Sequence, residues 1–385
     1  MIFDYVVIGA GFAGSVIAER IANTLNKKVL IIEKRNHIGG NCFDYYDKNG
    51  ILVHKYGPHI FHTQMKHVWN YISQFTEWYT YTHYVLGYID NKYVPIPFNL
   101  NTLEQLLPKE KADYLKEKLI QNFSENVKIP ILELRKTDDK DLQVLADFIY
   151  QKVFLNYTRK QWGMEPEELD SSVTARVPVY ISRDNRYFQD KYQGMPKNGY
   201  TNLFERMLSN KNIEIMLETD FKDIIKINYD KKKIYFNKNE FKGKLIYTGE
   251  IDAFFEYKFG KLPYRSLKFN FETKNKDYFQ EVGTINYPND YKFTRITEFK
   301  HLTGQKNVKT TIIKEYPQKY NKDKDIPYYP IPQRENLELY EKYRKEAENY
   351  KNVFFVGRLA EYQYYNMDIV IDKSLQIFKE KIANE

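Results

Sequence analysis

The chain has 385 residues, of which 42% are hydrophobic, so it is long enough for about two or three domains with ordinary cores. Its single cysteine, Cys42, excludes an intramolecular disulfide, and no secretory signal or apolar run of ~20 residues is visible, so we expect a cytoplasmic protein without membrane insertion. The net charge of +8 comes largely from lysines in loop-like stretches, not from a compact basic cluster with interleaved aromatics, so we expect no nucleic-acid partner.

Residues 4–41 have the pattern of a strand, a tight turn, a helix and a second strand. An apolar run ends at Gly9, and Gly9, Gly11 and Gly14 have the G-x-G-x-x-G spacing that opens a helix. The first glycine permits the turn, the second lets a pyrophosphate approach the backbone, and the third lets helix and strand pack closely. The second strand ends in Glu33, whose carboxylate is placed to accept hydrogen bonds from a ribose. The stretch therefore predicts a dinucleotide site, with the helix N-terminus facing the phosphates.

The residues after Glu33 favour FAD over NAD. A basic pair that begins at Lys34 is followed by Gly39, Gly40 and Asn41, a continuation that resembles flavoproteins with an N-terminal FAD site. NAD is the lesser alternative.

A group of histidines follows this first unit. His54, His59 and His62 lie around the turn Gly57-Pro58. No cysteine or carboxylate nearby completes a metal-ligand set, so we interpret this segment as a loop beside the cofactor and expect no metal.

The middle of the chain predicts a hairpin, then helices, then strands. Residues 85–96 alternate like a strand around the turn residues Asp90 and Asn91, which predicts a hairpin. Leucines at three- and four-residue spacing predict a small helical domain over residues 99–160. An antiparallel sheet is predicted from the strand-like segments 172–181, 264–271, 281–287, 293–299 and 309–316.

Two later segments return to the nucleotide-binding fold. Residues 199–208 predict a helix that leads into a strand at 213–217, and residues 353–356 predict a buried strand that ends in Gly357-Arg358. A closing helix begins at Met367. Because a strand that ends at glycine again lets the chain approach a cofactor, we expect a discontinuous FAD-binding domain.

Eight motifs spread over nearly the whole chain together resemble the UDP-galactopyranose mutase family, and they are far more specific than the glycine motif alone. They are GAGFAG, GGN, GPHIFHT, YTRKQWGM, KYQGMPKNGYT, TRITEFKH, IPYYPI and VGRLAEYQYYNMD.

The resemblance implies an α/β protein in which a discontinuous Rossmann-like FAD-binding domain, a small helical domain and a twisted antiparallel β-sheet domain surround one cleft. The expected boundaries are 1–80, 196–255 and 335–385 for the FAD-binding domain, 99–160 for the helical domain, and 81–98, 161–195 and 256–334 for the sheet domain.

The resemblance also implies the reaction. Such enzymes interconvert UDP-galactopyranose and UDP-galactofuranose without net redox change, through a covalent adduct between flavin N5 and the sugar that forms only with reduced FAD. We therefore expect an isomerase that supplies galactofuranose for surface glycans, needs a reductant such as NAD(P)H, and forms a homodimer, as is common in the bacterial family.

The family pattern places two arginines at the diphosphate, Arg176 and Arg295. A planar guanidinium binds anionic oxygens in a bidentate way and stays charged, which suits a leaving pyrophosphate. His59 falls in the loop expected against the flavin ring, where it would tune N5 or contact the sugar. These three residues are the catalytic candidates.

The remaining site residues are also implied by the resemblance. The substrate-binding candidates are His83, Phe154, Tyr157, Thr158, Trp162, Tyr187, Asn286, Tyr329, Tyr364 and Asn366. The cofactor-binding candidates are Gly9, Gly11, Phe12, Ala13, Gly14, Glu33, Lys34, Gly40, Asn41, His59, Ile60, Phe221, Gly357, Arg358, Met367, Asp368 and Ile369.

Arg176 lies in a segment, about residues 170–185, that has few long apolar residues and polar turns. We predict a mobile lid there, which would close over UDP and exclude water.

Two residues depart from the family pattern. Asn366 stands where an acid is usual, and His83 stands where an asparagine is expected. These departures leave UDP-N-acetylgalactosamine open as a second substrate. An FAD-dependent oxidoreductase of the amine-oxidase type and a non-catalytic scaffold that binds a UDP-sugar or flavin are the alternatives from other classes.

Overall fold

The computed structural model describes residues 3–170, 177–322 and 324–383. One layer is a five-stranded sheet in which every neighbouring pair is parallel. Its strand order is Ile213–Met216, Val29–Ile32, Tyr5–Ile8, Lys244–Tyr247 and Val353–Phe355. The first helix, Phe12–Thr24, and the closing helix, Met367–Ile377, pack on one face of this sheet. The sheet is built from the segments predicted for the nucleotide-binding fold and confirms that the fold is discontinuous in sequence.

The strands of this sheet are apolar because both faces are covered. Val6, Val7, Leu30 and Ile31 are each 0% exposed. Parallel strands buried on both faces are typically continuous hydrophobic runs without alternation, as the sequence of residues 5–8 shows.

A second sheet has seven strands and carries much of the site. Its order is Tyr329–Pro330, Tyr264–Lys274, Thr310–Lys319, Arg295–Glu298, Thr284–Asn286, Val85–Ile89 and Lys92–Ile96. The predicted hairpin forms its edge, with Asp90 and Asn91 both at positive φ. Its neighbouring pairs are antiparallel, as expected, except that Thr284–Asn286 and Val85–Ile89 are parallel. The hairpin comes from a distant part of the chain, and its direction is fixed by packing and not by a local turn.

Residues 100–162 are mostly helical and lie, in the sequence, between strands of the seven-stranded sheet. The helices of this segment are Leu100–Leu106, Lys109–Phe123, Ile131–Leu134, Lys140–Ile149, a π-helical stretch Tyr150–Leu155, and Asn156–Trp162. Asn99 and Asp139 cap two of them by accepting hydrogen bonds from backbone N–H groups of the first turn. Leu103, Leu115 and Leu142 are buried in their common core. The division of the chain into three domains at the predicted boundaries stays a prediction.

The remaining elements connect these layers. The strands are Asp44–Tyr46, Leu52–His54, Phe61–Thr63, Trp78–Tyr79, Lys128–Ile129, Val179–Tyr180, Tyr192–Pro196, Ile225–Asn228, Lys233–Phe236 and Asn239–Glu240. The helices are Gly40–Cys42, Lys66–Ile72, Pro166–Glu168, Gly199–Met207, Phe221–Ile224, Ile251–Phe254, Phe299–Thr303, Arg334–Ala347 and Phe378–Ile382. Within the described ranges, no helix has the length and apolar character needed to cross a membrane.

The predicted lid coincides only in part with described residues. Arg176 and its neighbours 171–175 lie outside them. The strand Val179–Tyr180 pairs with Lys128–Ile129, Ile181 is buried, and the N–H of Leu100 donates to the carbonyl of Ser182. Residues 179–182 are thus packed on the core of the helical segment, and the lid over about residues 170–185 stays a prediction.

Candidate active site

The turn after the first strand has the geometry that its glycines predict. Gly9 has φ +102°, a conformation that residues with a Cβ rarely adopt. A Cβ on Gly14 would lie 2.1 Å from the carbonyl oxygen of Gly9, so helix and strand are in direct backbone contact. A Cβ on Gly11 would meet only the Cα of Gly40, at 3.7 Å. Space is therefore left open at Gly11, where a pyrophosphate would approach.

Other segments converge on this turn. A Cβ on Gly40 would lie 2.9 Å from the Cα of Gly11, and one on Gly357 would lie 2.9 Å from the Cβ of Ala13. The helix that begins at Phe12 has no acidic residue in its first turn, so the positive end of its dipole is not neutralised there. This arrangement fits the phosphates of a dinucleotide.

Glu33 lies at the end of the second strand, as predicted. Its Oε2 accepts a hydrogen bond from the N–H of Ala10 at 2.9 Å, and its Oε1 accepts one from the N–H of Arg35 at 2.9 Å. Each carboxylate oxygen has a second lone pair, so the group can still accept from ribose hydroxyls. These bonds hold the acid in place beside the glycine turn.

Some predicted cofactor residues lie elsewhere. Lys34 is exposed, and Phe221 packs edge-to-face on Tyr247 with ring centroids 5.4 Å apart. Phe12 packs on Phe204 within the core, so only its backbone can face a cofactor. Asp368 is buried and, like Ile369, lies at the start of the closing helix. The cofactor-binding role of these residues stays a prediction.

A cavity of about 580 Å³ opens beside the glycine turn. Its wall brings together residues from the helical segment, the seven-stranded sheet and the nucleotide-binding fold. The predicted site residues that line it are Asn41, His59, Ile60, His83, Phe154, Tyr157, Thr158, Trp162, Tyr187, Asn286, Arg295, Tyr329, Arg358, Tyr364, Asn366 and Met367. Every predicted substrate-binding residue is in this set.

Arg295 is the principal cation of the cavity wall. Its Nη2 donates to the hydroxyl of Tyr157 at 2.5 Å, and its Nε lies 3.6 Å from Oε2 of the buried Glu315. Burial alone would lower the pKa of Arg295, but Tyr157 and Glu315 outweigh that effect and hold it well above its ordinary value. A permanent positive charge is therefore held at the cavity by one tyrosine and one carboxylate.

Hydrogen bonds fix the tautomer of His59 in the loop predicted beside the cofactor. The Nδ1 of His59 lies 2.8 Å from the carbonyl oxygen of Gly57, and since a carbonyl only accepts, Nδ1 carries the proton. The N–H of His59 donates to Nδ1 of His54 at 3.0 Å. Burial lowers the pKa of His59 to about 3, so its ring is neutral at physiological pH. Its Nε2 is left as a hydrogen-bond acceptor in the cavity wall.

His83 is also held neutral at the cavity. Its Nδ1 lies 3.0 Å from the hydroxyl of Tyr81, and Phe188 stacks between His83 and His62. Burial, together with the positive charge of Arg295, lowers the pKa of His83 to about 3.

Aromatic rings and a second arginine form another part of the wall. Trp162 contacts Tyr329 and Tyr364 with centroids 5.8 and 6.1 Å apart. The guanidinium of Arg358 lies over both tyrosines, at 5.1 and 4.6 Å from their centroids. These contacts orient two of the tyrosines predicted to bind the substrate.

Glu315 was missed in the sequence. It is buried in the cavity wall, and burial raises its pKa while Arg295 opposes that rise. Strand alternation could have identified it: Glu315 is two residues from the fully buried Ile313 and therefore lies on the same face of the strand. His62, Phe188 and Asp190 were also not assigned to the substrate side but line the same cavity.

Comparison with known proteins places this site in a family. The family model of UDP-galactopyranose mutase matches residues 152–364, which include Arg295 and the aromatic wall. The chain belongs to the UDP-galactopyranose mutase family. A second family model, a NAD(P)-binding Rossmann-like domain, matches residues 7–75. The expected α/β fold with a Rossmann-like dinucleotide-binding unit is thus confirmed.

Individual relatives cover nearly the whole chain. It is 38% identical to a probable UDP-galactopyranose mutase of Klebsiella pneumoniae, over 99% of this chain and 96% of that one. It is 35% identical to a dTDP-fucopyranose mutase of Escherichia coli, over 98% of each chain. A crystal structure of a reduced UDP-galactopyranose mutase has the same fold, with a TM-score of 0.73 at 17% identity and coverage of 100% of this chain and 96% of that one.

Within the described residues, no group of three His, Cys, Asp or Glu side chains is arranged to hold a metal ion. His54 uses its Nδ1 for the backbone of His59, and His62 faces Asp190 at 3.0 Å. His54 and His62 therefore make hydrogen bonds within the protein.

Proposed function

We propose that this protein interconverts UDP-galactopyranose and UDP-galactofuranose with reduced FAD as its cofactor. The observation that carries the proposal is the partly exposed cation Arg295 in the wall of a cavity that opens beside the glycine-lined dinucleotide turn. A diphosphate sugar and a dinucleotide would meet in this cavity. Membership of the mutase family supports the proposal.

The chain offers residues for FAD along a continuous path. Gly11 and the N-terminus of the first helix would hold the pyrophosphate, and Glu33 the adenosine ribose. Asn41, Ile60 and Met367 line the cavity toward which the flavin end would extend. When bound in the reduced state, the flavin supplies a nucleophilic N5 atom for the anomeric carbon of the sugar.

Arg295 would bind the diphosphate of the substrate and stabilise the negative charge that develops on UDP as the glycosidic bond breaks. Tyr329 and Tyr364 would donate hydrogen bonds to the same oxygens, and burial keeps the hydroxyl of Tyr329 protonated by raising its pKa. We propose that Arg176, which lies outside the described residues, binds the same diphosphate. The protein thus holds a good leaving group and does not need to protonate it.

His59 would act as an acceptor. With its proton fixed on Nδ1, its Nε2 can receive a hydrogen bond from a hydroxyl of the sugar or an N–H of the cofactor and cannot donate one. Phe154, Thr158 and Trp162 would form the uridine end, where an aromatic face stacks on the base.

A second candidate substrate has specific support. One relative that spans the chain is a dTDP-fucopyranose mutase, so a 6-deoxy sugar on a thymidine nucleotide is a real alternative. His83 and Asn366, which depart from the expected pattern, keep UDP-N-acetylgalactosamine as a further alternative.

The test compares these sugars under one set of conditions. Purified protein is loaded with FAD, reduced with dithionite under nitrogen, and incubated separately with UDP-galactofuranose, UDP-galactopyranose, dTDP-fucopyranose and UDP-N-acetylgalactosamine. We expect conversion of both galactose nucleotides by chromatography, and none with oxidised flavin. Equal conversion without reduction, or consumption of substrate with net oxidation or reduction of the flavin, would overturn the proposal.

Three wider roles belong to this proposal. The enzyme would act in the cytoplasm as a homodimer, and a nicotinamide nucleotide would reduce its flavin. Its product would be the source of galactofuranose for surface glycans. Mass photometry of the FAD-loaded protein tests the homodimer directly.

A further inference from the structure

Lys160 makes an unusual set of contacts outside the cavity. It is on the helix Asn156–Trp162, and its Nζ donates to four backbone carbonyls of the loop between the strands Thr284–Asn286 and Arg295–Glu298. The distances are 2.5 Å to Tyr287, 3.5 Å to Asn289, 3.0 Å to Tyr291 and 3.4 Å to Phe293.

These carbonyls belong to alternate residues, and all four oxygens point toward Nζ of Lys160. An ammonium has three protons, and four acceptors around it exceed what it can satisfy at one time. Without a cation, the four oxygens would point toward one place with no donor at its centre, and this partly exposed loop would lose those hydrogen bonds. A ring of carbonyl oxygens is also the kind of site that replaces the hydration shell of a monovalent metal ion.

The loop has a functional position. It connects Asn286, which lines the cavity, to Arg295, the cation of the cavity wall. The helix that carries Lys160 also carries Tyr157, and the bond from Arg295 to the Tyr157 hydroxyl crosses the same boundary. Lys160 therefore joins the two elements whose separation sets the position of Arg295.

One further contact supports the joint. The side chain of Asn156 donates to Oδ1 of Asn289 at 3.0 Å, and Nδ2 of Asn289 donates to the carbonyl of Lys152 at 3.0 Å. Both bonds are between neutral groups near the protein surface, so they are weaker than those made by an ammonium. Lys160 and Arg295 are therefore the charged donors across this joint, and Lys160 is the one that bonds to the loop backbone.

We propose that Lys160 is a positioning residue that acts as a tethered monovalent cation: its ammonium fills the carbonyl ring of residues 287–293 and thereby holds Arg295 at the substrate diphosphate. The activity readout of this proposal rests on the proposed mutase function, and the ion-binding readout does not.

The first experiment uses Lys160→Met in the FAD-loaded, reduced enzyme. We expect kcat/KM to fall about 10- to 100-fold, as for a catalytic group displaced by about 1 Å, with most of the loss in kcat. Ammonium or potassium chloride should restore part of kcat, whereas tetramethylammonium chloride at the same ionic strength should not, because that ion is too large for the ring. Lys160→Arg should retain more activity than Lys160→Met because it keeps the charge.

The second experiment needs no substrate. The Tm of Lys160→Met should rise with ammonium or potassium chloride relative to tetramethylammonium chloride, and that of the unmodified protein should show no such difference. Lys152→Met is the matched control, since Lys152 is about two turns away in the preceding helical stretch and pairs with the exposed Asp90. It should leave kcat and the ion dependence unchanged.

The outcomes separate the two proposals. Activity of Lys160→Met within twofold of the unmodified protein, or a loss that is the same in all three salts together with an ion-independent Tm, would overturn the role of Lys160. If the unmodified protein converts none of the nucleotide sugars, the mutase function fails, and the Tm comparison still decides whether the ring binds a cation.

Discussion

At the scale of single residues, the site depends on how one half-buried cation, Arg295, is partnered. Arg295 has two neighbours, the neutral hydroxyl of Tyr157 and the carboxylate Glu315. Oε1 of Glu315 has no hydrogen-bond partner among the described residues. Glu315 therefore does not form a bidentate pair with the guanidinium of Arg295. Arg295 thus keeps positive charge available for a diphosphate.

Arg295→Met is expected to lower kcat about 10²- to 10³-fold, because it removes a preorganised charge from the leaving group. The protein should remain folded and should bind FAD. Stopped assays on the reduced enzyme provide kcat, and Arg344→Met, which removes an exposed arginine of the helix Arg334–Ala347, is the control. A loss of less than threefold would contradict the role of Arg295.

Glu315→Gln should bind UDP more tightly, by about 1 kcal/mol or about fivefold, because Arg295 then no longer shares its charge with a carboxylate. Calorimetry measures the Kd. Burial raises the pKa of Glu315, so its protonated form gains population as the pH falls toward that pKa. UDP binding to the unmodified protein should therefore approach that of Glu315→Gln at low pH, and a constant ratio of the two Kd values across pH would contradict this account.

At the scale of elements, the strand–turn–helix unit uses its glycines for different purposes. Gly14 is needed for backbone contact within the protein, while Gly11 faces open space and has extended backbone angles that any residue can adopt. Substitution of each should separate folding from cofactor binding.

Gly14→Ala should lower the stability of the FAD-free protein by about 1–3 kcal/mol, because its Cβ would overlap the carbonyl of Gly9. Gly11→Ala should leave that stability unchanged and abolish FAD binding, because its Cβ fills the approach of the pyrophosphate. Thermal unfolding and flavin absorbance measure the two effects. Equal FAD content in Gly11→Ala and the unmodified protein would contradict the assignment of this turn.

A buried acid lies in another element, the short helix Ile251–Phe254. Oδ2 of Asp252 accepts from the N–H of Leu262 at 2.9 Å, and its Oδ1 has no partner within the described ranges. Burial raises the pKa of Asp252 from 3.8 to about 6. The folded state thus penalises the ionised carboxylate, and its contribution to stability declines as the pH rises from about 4 to about 6.

Asp252→Asn should therefore raise the free energy of unfolding by about 3 kcal/mol at pH 7 and by almost nothing at pH 4. Denaturant titrations at the two pH values measure the difference. The same effect at both pH values would show that burial of this ionised carboxylate is not the cause.

At the scale of the whole molecule, the dinucleotide site joins distant parts of the chain. The turn at Gly11, the doublet at Gly40 and the segment at Gly357 are brought within contact distance by the parallel sheet. A ligand bound there would contact the segments that follow the first, second and last strands of the parallel sheet, counted along the chain.

FAD should therefore stabilise the whole chain against unfolding. At free FAD about 100 times its Kd, the expected gain is about 2.7 kcal/mol, with one cooperative transition. Calorimetric scans with and without FAD check this, with Gly11→Ala as the variant that should show no gain. A transition that splits on FAD binding, with one part unshifted, would show that the sheet domain unfolds independently.

The sequence by itself determined what depends on neighbours along the chain. The strand, turn and helix around Gly9, the hairpin at Asp90 and the closing helix at Met367 follow from local spacing and turn chemistry, and each is present in the structure. The motif set also pointed to the residues that line the cavity, because such a set defines a family.

Only the tertiary structure decided which distant groups meet. Tyr157 and Arg295 are 138 positions apart, yet they share a hydrogen bond. Strand alternation can indicate that Glu315 is buried, but it does not show that Arg295 is its partner. The parallel pairing of Thr284–Asn286 and the carbonyl ring around Lys160 likewise depend on how separate elements pack. The physical reason is that periodicity reports which face of an element is buried, whereas the partner of that face is chosen by the fit and charge of the whole fold.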